Sequence, residues 1–404
     1  MRSPVRFAPV LAVACVLYAV VVAPRARGLP LYAGRTGLMC ASCHFDPNGG
    51  GPRNEFGFAF AKNRHALAPD TGGAWKDLDL TNRVGDRMPV YLGLNQRFML
   101  LTTRGITSRN IDDFAFFNME NGLHVAFQPH RRLTLVYTLD AFSNLSGVAA
   151  GSGGPFRSKE AFGMIGGFPG DAYIKVGRIR TPFGLRMDDH TVATRNAFID
   201  ASGGPAFMPY DVRESDMGFE LGADKGGFFG RAAFTNGHAA EFGSDPYAEA
   251  KTVKLGYNHP WFQSAVSLYD DFDKFGSDPF QRTTRWGAYG LTHWRDVVVL
   301  GEWAAGTDRA DLDGGTHNLL AWYAEADYAP RRWVNVRARY DYLVADRSSD
   351  LALREESTYR RYALEGELLP VPFAELRWTL RYIDPRASSV ADDRQAYLQM
   401  HFSY

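Results

Sequence analysis

Two cysteines three positions apart, with a histidine directly after the second, stand at Cys40-Ala41-Ser42-Cys43-His44. Thiols at this spacing can each add across one vinyl group of a porphyrin, and the next residue is then placed to ligate its iron. The pattern is that of a c-type haem attachment site, with Cys40 and Cys43 as thioethers and His44 as an axial ligand. Other chemistries of the same residues fit less well. A thioredoxin-like pair needs a βαβ context that this chain lacks. A zinc site needs four ligands, and only His65 stands nearby. A structural disulfide gives His44 no role. The second axial ligand stays open between His65 and Met88, with Met39, a barrel residue or an open position behind them. Ligation by Met88 would set the higher potential.

The elements around this motif fall into three stretches. Residues 1–28 start with Arg2 and Arg6, run apolar from Val10 to Ala23, and offer small residues at Ala26 and Gly28. That is the layout of an export signal, shorter than the roughly 20 residues a spanning helix needs. Cys15 lies in its apolar run, so only the two motif cysteines are expected in the exported protein. Beyond the four arginines of this stretch the chain carries 41 basic and 45 acidic residues, which gives no case for a nucleic-acid partner. Residues 29–88 read as one small haem c unit, mostly helical or irregular. In it Phe56-Gly57-Phe58-Ala59-Phe60 precedes a short helical stretch over Ala61 to His65.

From Pro89 to Tyr404 the texture changes to segments of period-2 alternation. Between Trp333 and Val344 one face reads Val334, Val336, Ala338, Tyr340, Tyr342 and the other Asn335, Arg337, Arg339, Asp341. Strand side chains point to opposite sheet faces, so each strand has one apolar and one charged side. Sixteen such segments start near residues 89, 116, 131, 158, 171, 214, 226, 248, 261, 282, 296, 316, 332, 357, 372 and 392. Their connections alternate between short ones, such as Pro169-Gly170 and His259-Pro260, and long ones, the longest over 181–213. An even strand count with short turns at one end and long loops at the other predicts an all-β fold: a 16-stranded antiparallel outer-membrane β-barrel over 89–404. Closure spares long apolar strands from edge-to-edge aggregation. The chain ends on Ala396, Leu398, Met400, Phe402 and Tyr404, an apolar face finishing in an aromatic, similar to the assembly signal of outer-membrane proteins.

Two resemblances add to this reading. Gly177-Arg178-Ile179-Arg180-Thr181-Pro182-Phe183-Gly184 resembles the Gly-Arg-x-x-x-Pro-Phe-Gly signature of the phosphate-selective porins of OprO/OprP type. It implies the barrel and not the substrate. Loop 181–213 is expected to fold inward as a constriction, and its Asp188-Asp189-His190 is a weak candidate for a metal. A leader, the stretch from Thr36 to His44, then Phe56-Gly57, Phe60 and Lys62, then a barrel: this order resembles the outer-membrane monohaem cytochrome–porin fusions of iron-oxidising bacteria. The glycine-rich Asn48-Gly49-Gly50-Gly51-Pro52 departs from that pattern.

The resemblance implies electron transfer across the outer membrane, with Fe(II) or another extracellular donor or acceptor on one side. On the other side it implies a periplasmic carrier, a cytochrome c or similar. The alternative is a diffusion porin whose haem unit senses redox state or relays electrons. Outer-membrane lipid is the surrounding medium and a homotrimer a candidate assembly. The haem unit is expected at the periplasmic side or inside the lumen. There the inward charges Lys175, Glu325, Arg337, Arg339, Glu375, Arg377 and Arg381 would dock it or steer ions.

Overall fold

Sixteen long strands follow one another in chain order, each paired antiparallel with its sequence neighbour, and the last returns to the first. The computed structural model describes residues 29–70, 80–104, 111–141, 156–186, 191–195, 215–237, 250–272, 280–310, 315–347, 350–386 and 392–404. The first half of the barrel is β1 (Val90–Arg104), β2 (Ile111–His130), β3 (Leu133–Ala141), β4 (Phe156–Phe168), β5 (Ala172–Ile179), β6 (Asp216–Lys225), β7 (Phe228–Thr235) and β8 (Ala250–His259). The second half is β9 (Phe262–Phe272), β10 (Phe280–Trp294), β11 (Val297–Ala310), β12 (Thr316–Arg331), β13 (Val334–Val344), β14 (Thr358–Val371), β15 (Ala374–Pro385) and β16 (Asp393–Ser403). β16 pairs with β1 from Arg394 opposite Arg104 to Ser403 opposite Asn95, so the sheet closes and leaves no free edge.

The side-chain alternation runs inside out compared with a soluble sheet. In β13, Asn335, Arg337, Arg339 and Asp341 are buried, while Val336 faces out, 36% exposed. Outward Leu135, Tyr137, Ile174, Val176, Phe219, Leu221, Leu255, Trp303, Leu364 and Leu380 continue that apolar surface round the barrel. An apolar outer band around a polar interior is what a lipid bilayer requires of a barrel.

The sixteen expected segments are the sixteen strands. A two-residue strand, Arg83–Val84, pairs with Val90 and Tyr91 just ahead of the barrel and was not anticipated. Two residues have no periodicity to read.

The polar interior is filled from both ends. Residues 29–70 enter beside the short turns, and residues 181–186 and 191–195 descend from the long-loop end. The two meet where Val192 packs with Leu31, Tyr32, Ala33 and Phe60 against Leu291, Val298, Leu300 and Tyr323 of the wall.

Candidate functional site

The cysteine motif forms one 3-10 turn, Cys40–Ser42, entered from an extended Met39. The amides of Ser42, Cys43 and His44 donate to Met39 O, Cys40 O and Cys40 O at 2.9, 3.0 and 3.0 Å. In a 3-10 turn, side chains three apart eclipse one another. The Cys40 and Cys43 side chains therefore lie on one side of the turn, both as thiols and not as a disulfide. Burial, and behind it the neighbouring Cys40, raises the Cys43 thiol to about 11.

Two short structures hold this turn. His44 bridges antiparallel to Arg53, and between them the chain reverses through Gly49, Gly50 and Gly51, at φ of 90°, 77° and 61°. The Asp46 carboxylate accepts from the Asn48 amide at 2.8 Å to set that turn. After it, the Asn54 amide donates to Cys43 O at 3.0 Å. The Asn54 side chain accepts from the Gly57 amide at 2.9 Å, capping helix α1 (Glu55–Lys62). Gly57 presses on the cysteine turn so closely that a Cβ there would lie 2.1 Å from Cys43 O. The helix begins earlier than the sequence pattern suggested, because Asn54 caps it, and it stops at Asn63. Arg64 and His65 follow with left-handed φ of 53° and 55°.

That backbone reversal turns His65 back onto Tyr32. The two rings stack with centroids 4.4 Å apart and 18° between planes, and His65 Nδ1 lies 3.0 Å from the Tyr32 hydroxyl. Burial first, then the Arg53 cation, lowers His65 to about 3 and keeps its imidazole neutral. Met88 has a different setting: it is 62% exposed, in the connection between Arg83–Val84 and β1. Met39 packs against Phe229, Ala265 and Tyr289 of the wall.

The wall grips this segment on many sides. Asp46 pairs with the fully buried Lys175 of β5 at 3.0 Å, and Lys175 pairs in turn with Glu220 of β6 at 3.2 Å. Asn48 Nδ2 donates to both Glu220 oxygens at 2.8 and 2.9 Å. Arg35 donates to Asn335 of β13 at 3.0 Å, Arg53 to Ser403 O of β16 at 2.9 Å, and Asn258 of β8 to Gly37 O at 3.1 Å. Tyr32 donates to Glu367 of β14 at 3.1 Å. Phe58 packs on Phe373, in the β14–β15 turn, and on Tyr404 at 5.0 and 5.2 Å.

The inward loop is held differently. Arg195 and Glu302, both fully buried, pair at 2.8 Å. Arg186 pairs with Glu325, Arg339 and Arg361 donate to Thr191 O, and the Ala193 amide donates to Asp341 at 2.9 Å. Gly184, at φ 67°, leaves the room that the Arg195–Glu302 pair occupies: a Cβ there would lie 2.1 Å from Glu302 Oε1. The Pro-Phe-Gly signature thus pins the loop, with Phe183 buried against Ala250, Tyr269 and Ala304. Asp188, Asp189 and His190 lie outside the described residues.

Several of these partners escaped the sequence reading, among them Tyr32, Asp46, Arg53, Glu220, Glu302 and Glu367. The acids had one usable signal, inward parity: Glu220 alternates with the outward Phe219 and Leu221.

No protein-family model matches the sequence, and no curated protein matches it. Solved structures do. The outer-membrane channel DcaP of Acinetobacter baumannii superposes with a TM-score of 0.58 at 12% identity, covering 78% of this chain and 97% of that one. The fold is that of the outer-membrane porins. An anion-selective porin from Comamonas acidovorans gives 0.57 at 12% identity, covering 78% of this chain and all of that one. The trimer form of OmpT from Vibrio cholerae gives 0.54 at 11%, covering 79% and 100%. On this porin-type barrel, the donor set of the N-terminal segment fits a covalently held haem. Two thiols share one side of a turn, an imidazole follows them directly, and the helix packed on the turn leads to a second imidazole at His65.

Proposed function

We propose that this chain is an outer-membrane electron carrier in which a porin-type barrel holds one haem c. The observation that carries the reading is the 3-10 turn that puts Cys40 and Cys43 on one side directly ahead of His44, inside a segment docked in the lumen. When bound, haem c supplies one-electron chemistry. The chain supplies the rest. Cys40 and Cys43 form the two thioethers and His44 ligates the iron. Lys175, Glu220, Asn335, Glu367 and Ser403 hold the segment within the wall. On this reading the protein sits in the bacterial outer membrane, with its short turns on the periplasmic side. Electrons pass from an extracellular donor such as Fe(II) to a periplasmic cytochrome c or similar carrier. This is the arrangement of the cytochrome–porin fusions that the sequence resembles. The trimer form of OmpT extends here to a proposed homotrimer, which cross-linking of intact membranes would read.

A lumen filled from both ends suits a scaffold better than a diffusion channel. The test uses intact cells and membrane-impermeant oxidants and reductants. Rapid bleaching and recovery of the haem absorbance is the expected result. A haem that such reagents never reach, in cells where small solutes pass freely through this barrel, would favour a diffusion porin with a sensing or relay haem. Replacing both cysteines (Cys40→Ala/Cys43→Ala) is expected to abolish covalent haem and leave barrel insertion intact.

A further inference from the structure

We infer that Glu367 of the barrel wall, acting through Tyr32, positions His65 as the second axial ligand of the haem iron. This inference rests on the haem c reading. A phenol has one proton to give. The Tyr32 hydroxyl stands 3.1 Å from Glu367 Oε1 and 3.0 Å from His65 Nδ1, so it can donate to only one of them. The carboxylate takes that proton: Glu367 also receives Arg337 Nη2 at 2.8 Å and has Arg377 at 3.7 Å, a cationic setting in which it acts as an acceptor. The phenol oxygen is then left to accept, and the hydrogen between the two rings belongs to His65 Nδ1. In a neutral imidazole that fixes Nε2 as the bare, lone-pair nitrogen. Metal-ligating histidines are held this way, with the other ring N–H given to a hydrogen-bonded partner that sets the tautomer and raises ligand basicity.

The ring is also fixed in orientation. It stacks flat on Tyr32 and meets Phe60 with centroids 5.7 Å apart. It belongs to the same segment as His44, joined to the cysteine turn through α1. Gly57 touches the cysteine turn, and α1 runs from there to Asn63, where the left-handed Arg64 and His65 turn the imidazole back onto Tyr32. The sulfur candidates are less suited, since Met88 is 62% exposed and Met39 is packed against the wall. The relay also has a structural consequence. Glu367 belongs to β14, so the barrel itself, and not the N-terminal segment alone, completes the ligand's environment.

The experiment uses full-length protein extracted from outer membranes, with covalent haem quantified first by its alkaline pyridine spectrum. Low-temperature electron paramagnetic resonance and near-infrared magnetic circular dichroism then identify the ligands. The expected wild-type result is a low-spin bis-histidine signature. His65→Ala loses it, added imidazole restores it, and Met88→Leu leaves it unchanged. Tyr32→Phe keeps both histidine ligands but moves the midpoint potential upward, because the ligand loses its acceptor, and Glu367→Gln moves it the same way. A bis-histidine signature that survives His65→Ala overturns the inference, as does a methionine–histidine signature that disappears in Met88→Leu. An unchanged potential in both Tyr32→Phe and Glu367→Gln removes the relay. Absence of covalent haem from the wild type would instead defeat the haem reading.

Discussion

Two segments fill this barrel, and they are held by different physics. The inward loop, at 181–186 and 191–195, is tied by charges already taken out of water: Arg195 to Glu302, Arg186 to Glu325, and Thr191 O to Arg339 and Arg361. The N-terminal segment relies more on rings and on hydrogen bonds outside ion pairs, with Phe58 on Phe373 and Tyr404, Tyr32 on Glu367, and Arg53 on a backbone carbonyl. Its one fully buried ion pair with the wall among the described residues is Asp46–Lys175. The loop belongs to the barrel's own polar interior. The N-terminal segment brings an internal construction, the cysteine turn clamped by α1, and needs the wall chiefly for docking.

If the two inserts close the lumen jointly, removing the larger should have the greatest effect. Deleting residues 29–70 behind an intact leader is expected to raise single-channel conductance in planar bilayers from near closure to a steady open level. A conductance equal to the full-length protein's would mean that the loop alone closes the barrel.

The next contrast is between the two sets of ion pairs. Lys175→Met strands Asp46 and Glu220 as buried carboxylates without their cation, a loss of about 3–5 kcal/mol. Limited proteolysis should then release the N-terminal segment while the loop stays protected. Arg195→Met should do the reverse, exposing the loop and leaving the cysteine turn in place. Equal release of both segments in either variant would show that they dock as one unit.

A smaller effect tests the clamp inside the N-terminal segment. Gly57→Ala forces a methyl group toward Cys43 O and should displace α1 at a cost of about 1–3 kcal/mol. Covalent haem yield is expected to fall while strand content by circular dichroism is unchanged. A full haem yield would mean that attachment does not depend on the packed turn.

The barrel was legible because its information is local and repeated. β13 alone states its two faces, and sixteen such statements with alternating turn lengths leave closure as the consistent solution. The cysteine turn was equally local. What could not be read was which wall residue meets which insert. Tyr32 and Glu367 are 335 positions apart, and no periodicity relates a residue in an irregular segment to one point on a cylinder. The position of α1 was misjudged for a related reason. Five residues of alternating Phe with Gly or Ala fit several frames, and only the Asn54 cap selects one. Gly184 shows a middle case. Its motif was recognised, but its physical reason, room for the Arg195–Glu302 pair, appears only once the loop is folded inward.

The mildest test concerns pH and applies to protein made without haem, as Cys40→Ala/Cys43→Ala. Folding lowers His65 from its ordinary 6.5 to about 3, through burial and then the Arg53 cation. The unfolded or undocked segment therefore binds a proton that the docked one refuses. Docking strength contributed by the neutral ring is fully present above pH 6.5 and is lost as pH falls toward 3. Protease release of the N-terminal segment should accordingly quicken across that interval. His65→Gln, which carries no titrating group, should flatten the dependence even if it weakens docking at every pH. An identical pH profile in the two proteins would place the titrating group elsewhere and leave the Tyr32 contact as packing alone.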